Sequence, residues 1–399
     1  MLNDRNDEFI GARVADDGQW RFPLVDSVPY KFENCILQFE DKRFYLHPGI
    51  DPAAVLRALY QNITRGKIVS GASTITMQTV RLSFGNKART IKQKFIEVLI
   101  SLSVELHLSK SEILKLYSSH APFGGNVVGL EAASWRYFSK PAYKLSWAES
   151  ATLAVLPNNP SVILPGRNEL ILRKKRDRLL KKLLVKNRID SSTYKLALLE
   201  EIPQKPKALV DLAPHFLEWR KSLSENSPYH SSLSSSLQTK VQYALNDHVL
   251  NLKENGIHHA AAVVINVRSG QLEAYCGNNT NSESEHPGND VDIIQASRSP
   301  GSALKPLLYS LAMSEGILYP TTLLPDVPTY IHDFAPKNYN EQFEGAVHAF
   351  QALSRSLNVP SVHLLRKYGH TKFLHDLQEL GFINLNKGAN HYGLTMILG

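Results

Sequence analysis

The sequence has no apolar run long enough to cross a membrane. Its longest apolar stretch, Phe95 to Leu108, is interrupted by glutamate, serine and histidine residues, whereas a spanning helix needs roughly 20 mostly apolar residues. The first residues, MLNDRNDEF, are polar and acidic and do not form a secretory signal. Taken alone, these absences predict a cytoplasmic protein.

Cysteine is scarce, and acidic residues are outnumbered by basic ones. Cys35 and Cys276 lie too far apart for metal-type spacing, so no residue is assigned to a metal. The formal charge of +8 suits an anionic partner, such as nucleic acid, a phospholipid surface or a phosphorylated substrate. The basic residues form no RNA- or DNA-binding motif, which argues against nucleic acid.

The length of 399 residues predicts two domains. Residues 1–30 are expected to form strand and loop, and residues 31–195 a mainly helical domain. Residues 196–236, rich in proline and serine, are typical of a linker, with the run His230 to Ser236 as its least structured part. Residues 237–399 mix strand and helix patterns, which predicts an α/β domain.

Several local signals define elements. Ser109 and Glu112 form a capping box that predicts a helix start. The spacing of Phe95, Leu99, Leu102 and Leu106 predicts a longer helix before it, from about residue 87. Residues 169–190 are a basic amphipathic helix whose charged face is either solvated or in contact with anionic lipid. Residues 262–267 read as a buried strand that pairs with residues 272–276.

Three segments of the first domain carry residues suited to glycosyl transfer. That reaction needs a carboxylate to accept a hydroxyl proton and cations to neutralise the leaving group. Glu40 can supply the carboxylate, in the segment EDKRFYLHPG. Charge neutralisation is assigned to Arg81, Lys87, Arg89 and Lys94, and a polar anion site at a helix start to Ser73, Thr74, Thr76 and Gln78.

Each of these signals has a structural alternative. The pair Glu40-Asp41 before a basic residue is also typical of a solvated turn. The Ser-Thr run is also typical of a helix cap, and His47 of a structural histidine. Lys94 and Glu97, three residues apart, also fit an ordinary surface ion pair. Residue types and spacing alone predict no more than an enzyme that acts on a sugar or a phosphate.

The order and wording of these segments resemble the motifs of family 51 peptidoglycan glycosyltransferases. EDKRFYLHPGID at 40–51 resembles the first motif, GASTITMQ at 71–78 the second and RTIKQKFIE at 89–97 the third. The stretch from Ser109 to Phe138 is similar to the fourth and fifth. The resemblance covers about residues 30–170. It has three departures: Gln93, where many relatives carry arginine, Met77, which replaces the first glutamine of the usual pair, and Ser118-Ser119-His120, which replaces a common asparagine-containing segment.

This resemblance implies a lysozyme-like, mainly helical fold beside the outer face of a bacterial inner membrane. It implies lipid II and a growing lipid-linked glycan as substrates. Glu40 is then the general base towards the acceptor hydroxyl, and Glu97 a second catalytic carboxylate. The implied substrate-binding residues are Asp41, Phe44, His47, Ser73, Thr74, Gln78, Arg81, Lys87 and Lys94. No cofactor is required, although a divalent cation, Mg²⁺, would assist the diphosphate.

The second domain resembles the penicillin-binding transpeptidases. Ser302 and Lys305 form a Ser-x-x-Lys motif, in which the lysine amine acts as base to the serine hydroxyl. Ser356 and Asn358 match the second motif, Ser-x-Asn. The resemblance therefore implies a bifunctional class A penicillin-binding protein, with Ser302 as acylated nucleophile and β-lactam target.

A third motif, Lys-Thr/Ser-Gly, is not found before Gly399. We therefore expect an incomplete α/β, β-lactamase-like domain without competent transpeptidase activity. Two alternatives to a glycosyltransferase that polymerises lipid II stay open at this point. One is a lysozyme-like glycan hydrolase, which would have no diphosphate for the cations to neutralise. The other is a scaffold that binds lipid II without turnover.

Overall fold

The computed structural model describes residues 1–66, 71–85, 90–158, 165–223, 229–280, 288–331 and 334–398. The chain divides into two compact units, Met1–Ile294 and Gln295–Gly399. The predicted linker lies inside the first unit and contains a helix. The predicted domain boundaries at residues 30, 195 and 236 stay predictions.

The first unit is mainly helical. Its helices are α1 Tyr30–Glu40, α2 Pro52–Arg65, α3 Ile75–Ser83, α4 Ile91–His107, α5 Lys110–His120, α6 Leu130–Phe138, α7 Trp147–Val155, α8 Glu169–Val185, α9 Ser191–Leu199, α10 Pro214–Leu223 and α11 Ser235–Leu252. Short 3₁₀ turns lie at Phe44–Leu46, Ala142–Lys144 and Lys253–Asn255.

Short strands complete this unit. They are β1 Leu2–Asn3, β2 Phe9–Gly11, β3 Trp20–Arg21, β4 Val127–Val128, β5 Tyr229–His230, β6 Ala262–Ile265 and β7 Leu272–Cys276. β1 pairs antiparallel with β2 and parallel with β5, β3 pairs parallel with β4, and β6 pairs antiparallel with β7. The β6–β7 hairpin confirms the predicted pairing.

The core of the helical region forms around α7, whose side chains are almost all buried. α7 packs against α1 and α8. On α1 the buried side chains Phe32, Cys35 and Ile36 share one face, as the helical period requires. This packing fixes the C-terminal end of α1, where Glu40 is the last helical residue.

The predicted helix start at Ser109 is confirmed. The Ser109 hydroxyl accepts from the Glu112 amide, and the Glu112 carboxylate accepts from the Ser109 amide, so both halves of the capping box are present. Cys35 and Cys276 are both free and buried, as expected for isolated cysteines.

Two expectations about the middle of the chain are wrong. The serine-rich run from His230 is ordered, because Leu233 is fully buried and Ser234 caps α11. The strand at 262–267 is not buried throughout: Val263 and Ile265 are exposed, because side chains alternate between the two faces of a two-stranded sheet.

The second unit mixes helices with a two-stranded antiparallel sheet. Its elements are α12 Lys305–Ser314, β8 Leu323–Asp326, β9 Gly345–His348, α13 Ala349–Ser354, α14 Asn358–Tyr368, α15 His370–Glu379 and α16 Ala389–Tyr392, with 3₁₀ turns at Gly301–Leu304 and Gly393–Ile397. Its own core centres on α14, where Val362, Leu364 and Leu365 are buried.

No helix among the residues that the structure describes combines the length and hydropathy needed to span a membrane.

Candidate functional site

Glu40 is half-buried at the end of α1, next to the N-terminal part of α3. Its Oε2 atom accepts a hydrogen bond of 2.8 Å from the side-chain nitrogen Nε2 of Gln78. Its Oε1 atom is buried and has no hydrogen-bond partner among the described residues. A buried carboxylate oxygen without a donor is costly in the resting protein. It leaves one acceptor position free for a hydroxyl that enters the site.

Burial raises the pKa of Glu40 above that of an ordinary glutamate. The hydrogen bond from Gln78 and the charges of Arg81 and Lys175 act in the opposite direction, while Asp41 adds to the rise. The surrounding cations therefore keep the carboxylate available as a base while burial strengthens its affinity for a proton.

Asp41 connects the segment after α1 to the start of α3. Both of its carboxylate oxygens lie 3.0 Å from Nε2 of His47, and Oδ2 also accepts from the Ile75 amide at 3.1 Å. Asp41 and His47 are both buried. These contacts position the loop that follows Glu40. Direct substrate contact by Asp41 and His47 stays a prediction.

Thr74 is the N-cap of α3. Its hydroxyl accepts from the Met77 amide at 3.2 Å and donates to the Gly49 carbonyl at 2.6 Å. The helix-cap alternative for the Ser-Thr run is thereby confirmed at Thr74. The same hydroxyl ties the second motif to the first, since Gly49 closes the segment that begins at Glu40.

A cavity of about 650 Å³ lies between α2, α3 and α4. Four of the predicted site residues line it: Ser73, Arg81, Lys94 and Glu97. Glu40 is not one of the lining residues. Arg81 links the two features, because it lines the cavity and its charge also acts on the Glu40 carboxylate. The arrangement places two cations, Arg81 and Lys94, in the lining of a largely apolar cavity, and the charge of Arg81 acts on Glu40.

Phe44 is placed differently from this cluster. Phe44 is fully buried in the hydrophobic core, and the Lys110 amine lies 4.5 Å from its ring centre. Its side chain therefore anchors the loop that follows Glu40 to the core. Lys87 and Arg89 lie outside the described residues.

The cavity offers one carboxylate to a metal ion. Glu97 is the only carboxylate among its lining residues in the described part of the chain. Because Mg²⁺ is usually bound through one or two carboxylates together with substrate phosphates, assistance by Mg²⁺ stays a prediction. Within the described residues, no group of three or more His, Cys, Asp or Glu side chains could hold a metal.

Lys175 on α8 is a neighbour of Glu40 that the sequence patterns missed. Its amine donates to the Asn158 side-chain oxygen at 3.1 Å. Burial lowers the pKa of Lys175, and the Glu40 charge works against this. The basic run from Arg173 to Lys182 gives each lysine the same sequence signature. Only the packing of α8 against α1 shows that Lys175 is the lysine near the Glu40 carboxylate.

If the predicted glycosyl transfer is followed across pH, the Lys175→Met variant is expected to shift the acidic limb of the pH–rate profile to higher pH. Because the lysine charge favours ionised Glu40, its removal raises the pKa of Glu40, and a higher pH is then needed to deprotonate this carboxyl group, the predicted general base. The expected result is therefore a shift of the limb to higher pH. It is measured from kcat across pH. Lys174→Met, at the exposed neighbouring position, is the matched control and should leave the limb in place. Equal shifts in the two variants would contradict the assignment.

Two of the predicted residues of the second unit, Ser356 and Asn358, contact the Lys305 amine. Lys305 is buried at the start of α12 and donates to the Ser356 carbonyl at 2.7 Å, the Ser356 hydroxyl at 3.1 Å and the Asn358 side-chain oxygen at 2.7 Å. Burial lowers its pKa to about 8. Ser302 is exposed one turn earlier. Within the described residues, no hydrogen bond joins it to Lys305.

Asn338 supports this cluster and was not predicted. Its side-chain oxygen accepts from the amides of Asn358 and Val359, the first two residues of α14, and its amide donates to Asp326 at 2.7 Å. It therefore caps a helix whose own N-cap, Leu357, offers no side-chain acceptor. Such long-range caps cannot be read from local sequence.

Sequence comparison identifies two family matches. A transglycosylase model matches residues 9–184, and a model of the penicillin-binding protein transpeptidase domain matches residues 260–391. These matches, together with the helix content of the first region, confirm the predicted order of a helical domain followed by a smaller α/β domain.

Two relatives align over nearly the whole chain. Penicillin-binding protein 1C of Escherichia coli is 35% identical, with 97% of this chain and 50% of the relative aligned. Penicillin-binding protein 1F of Bacillus subtilis is 30% identical, with 92% of this chain and 52% of the relative aligned. The chain thus spans about half the length of each. The solved structure of penicillin-binding protein 1A from Haemophilus influenzae aligns with all of this chain and 65% of its own, at 17% identity and a TM-score of 0.48.

Proposed function

Because the chain belongs to the class A penicillin-binding proteins, which join a transglycosylase domain to a transpeptidase domain, we propose that its helical domain polymerises lipid II into glycan strands. Glu40 acts as general base towards the 4-hydroxyl of the acceptor sugar. A growing lipid-linked glycan is the donor. Undecaprenyl diphosphate is the product released.

The reaction is a substitution at the anomeric carbon of the donor. As the acceptor oxygen forms its bond to that carbon, its proton passes to Glu40, and the bond between the carbon and the diphosphate oxygen breaks. The diphosphate leaves with the bonding electrons. Arg81 and Lys94 neutralise the charge that develops on it. Glu97, buried in the cavity wall, helps to orient the donor.

The observation that carries this proposal is the pairing of Glu40, a half-buried carboxylate with a raised pKa, with a cavity that has two cations in its lining. Glu40 has one oxygen held by Gln78 and one without a donor. The adjoining cavity is lined by Arg81 and Lys94. A hydrolase that attacks with water has no anionic leaving group, so it gains nothing from these cations.

A single assay separates the polymerase from its rivals. The full chain is incubated with labelled lipid II in detergent, and products are resolved by length. Long glycan chains support the polymerase, and shortening of preformed glycan would indicate a hydrolase. Retention of labelled lipid II without turnover would indicate a scaffold. Either of the last two results would overturn the proposal.

We also propose that the domain works at the periplasmic face of the bacterial inner membrane, with α2 and α4 towards the lipid. The stripe of Phe95, Leu99, Leu102 and Leu106 on α4, which is typical of a buried face, is exposed instead; Leu106 is 84% exposed. On α2 the exposed apolar residues are Val55, Leu56, Leu59, Tyr60 and Ile63. Both helices wall the cavity, and paired apolar helix faces of this kind favour lipid.

The Leu99→Asp variant is expected to weaken binding to liposomes that contain anionic phospholipid by about tenfold or more. Burying one leucine in lipid contributes roughly 1.5–3 kcal/mol, and a buried aspartate opposes insertion. Co-sedimentation at varied lipid concentration measures the change. The matched control is Leu196→Asp on α9, where the leucine is exposed but away from these helices. Similar binding by the two variants would argue against this membrane-facing surface.

For the second domain we propose Ser302 as the nucleophile that β-lactams acylate, with Lys305 as its base. A lysine amine with a pKa near 8 is partly neutral at physiological pH and can accept a hydroxyl proton. Ser356 and Asn358 hold the amine in place through three hydrogen bonds.

Titration of Lys305 tests this environment. After ¹³C reductive methylation, one dimethyl-lysine resonance is expected to titrate near pH 8, while lysines in the solvated range titrate near 10.4. The resonance is assigned by its loss in Lys305→Arg. A Lys305 signal that titrates with the solvated lysines would contradict both the burial and the role as base.

A further inference from the structure

Glu105 and Lys110 form an ion pair between the end of α4 and the start of α5. The Lys110 amine lies 2.7 Å from the Glu105 carboxylate, and the Glu105 side chain is only 9% exposed. Lys110 occupies the first position of α5. A cation there opposes the helix dipole, since the N-terminal end of a helix carries partial positive charge. The ion pair with Glu105 offsets this unfavourable interaction.

The pair contacts two segments near Glu40: the loop from Phe44 to Gly49 and helix α3. Besides Glu105, the Lys110 amine donates to the His47 carbonyl at 2.7 Å. The same amine lies 4.5 Å from the centre of the Phe44 ring, which is close enough for a cation–π interaction. Lys110 thus holds the loop between Phe44 and Gly49 at two points.

Glu105 holds the other segment. Its Oε1 atom, which accepts from Lys110, also accepts from the Thr76 hydroxyl at 2.6 Å. Thr76 is fully buried in the first turns of α3, two residues before Gln78. One carboxylate oxygen therefore joins α3 to the loop that follows Glu40.

The backbone of α4 packs closely against that loop. Gly49 has a φ of +88°, and a Cβ at this position would lie 2.9 Å from the Ser101 carbonyl oxygen and 3.1 Å from Cγ of Glu105. The loop therefore cannot move closer to α4. The contacts of Lys110 with His47 and Phe44 keep it from moving away.

We propose that Glu105 and Lys110 are a positioning pair for Glu40, an inference that rests on the proposed glycosyltransferase function. Two sets of hydrogen bonds position Glu40. Asp41, the next residue, is bonded to His47 and to the backbone amide of Ile75, and the side chain of Gln78 donates to the Glu40 carboxylate itself. The pair fixes the loop that carries His47 relative to the helix that carries Gln78. Neither residue touches the reacting atoms.

The test compares Lys110→Met with Lys110→Arg in the full chain. Lys110→Met should lower kcat for lipid II polymerisation by about tenfold, because a small misplacement of the base is costly, while KM stays within twofold. Lys110→Arg keeps the charge and the contact with Phe44, and should restore most of kcat. Glu105→Gln should resemble Lys110→Met.

Lys140→Met is the matched control, since the Lys140–Glu149 pair is similarly short and half-buried but contacts neither segment of the site. It should leave kcat within twofold of the unmodified protein. If Lys140→Met lowers kcat as far as Lys110→Met does, or if Lys110→Met keeps kcat within twofold, the positioning role is overturned.

A second readout is independent of turnover. The Ile75 amide, which donates to Asp41, should exchange its hydrogen at least about tenfold faster in Lys110→Met and remain protected in Lys140→Met. If the unmodified protein does not polymerise lipid II but this difference appears, the proposed function fails and the positioning role stands. Unchanged Ile75 protection in Lys110→Met overturns the positioning role whatever the activity.

Discussion

Glycan polymerisation by the Glu40→Gln variant is expected to fall by about 10³-fold, the range associated with the loss of a general base. Glutamine has the same shape but accepts no proton at neutral pH. Its own side-chain carbonyl can still accept the hydrogen bond from Gln78 that Glu40 accepts now. Single-turnover rates with labelled lipid II measure the loss and separate it from slow product release.

The same variant should be at least as stable as the unmodified protein. Burial raises the pKa of Glu40, so the folded state binds a proton more tightly than the unfolded chain does. The free energy of unfolding therefore falls as pH rises from the ordinary glutamate pKa through the raised one, and the penalty remains at higher pH. A neutral glutamine avoids this penalty.

Thermal unfolding at pH 7.5 therefore provides the control for Glu40→Gln. An unchanged or higher Tm together with the loss of rate assigns the effect to chemistry. A Tm lowered by several degrees would mean that the variant is inactive because it is misfolded. Retention of more than a tenth of the rate in a stable variant would mean that another group is the base.

The second large effect is expected at Lys94. Lys94→Met should lower kcat/KM by about 10²-fold, because it removes a cation that lines the cavity where the diphosphate would separate. Arg81 remains in this variant, so the loss should be smaller than for Glu40→Gln. Initial rates at low lipid II concentration give kcat/KM directly.

Lys92→Met is the matched control for this prediction. Lys92 lies on the same helix, is exposed, and is not among the residues that line the cavity. Both substitutions remove one positive charge from α4, so a general effect on the field of the protein would appear in both. Equal losses in the two variants would mean that Lys94 acts through net charge and not through contact with the leaving group.

Local sequence was sufficient for elements whose signal lies within a few residues. The Ser109–Glu112 capping box is complete within one helical turn, and the β6–β7 hairpin within 15 residues. The order of the motifs also predicted that Ser73, Arg81, Lys94 and Glu97 lie together, and all four line one cavity. These predictions needed only helical periodicity and the likeness of short segments.

Contacts across long separations were not predictable in this way. Helical spacing flags pairs three or four residues apart, and Glu105 with Lys110 is five residues apart across a helix boundary. Lys175 is one of several equivalent lysines until α8 is packed. The apolar stripe on α4 has the period of a buried face, and only the structure places it on the surface.

The hydrogen bonds that assemble the site have a consequence for how the protein acquires activity as it folds. The bonds from Gln78 to Glu40 and from the Ile75 amide to Asp41 span 38 and 34 residues, and that from Thr74 to Gly49 spans 25. Contacts of such separation close late, since the entropy of the intervening chain is lost before they form. Until they form, Glu40 is solvated and has the acidity of an ordinary glutamate. The raised pKa of Glu40 is therefore acquired only when this part of the chain has folded.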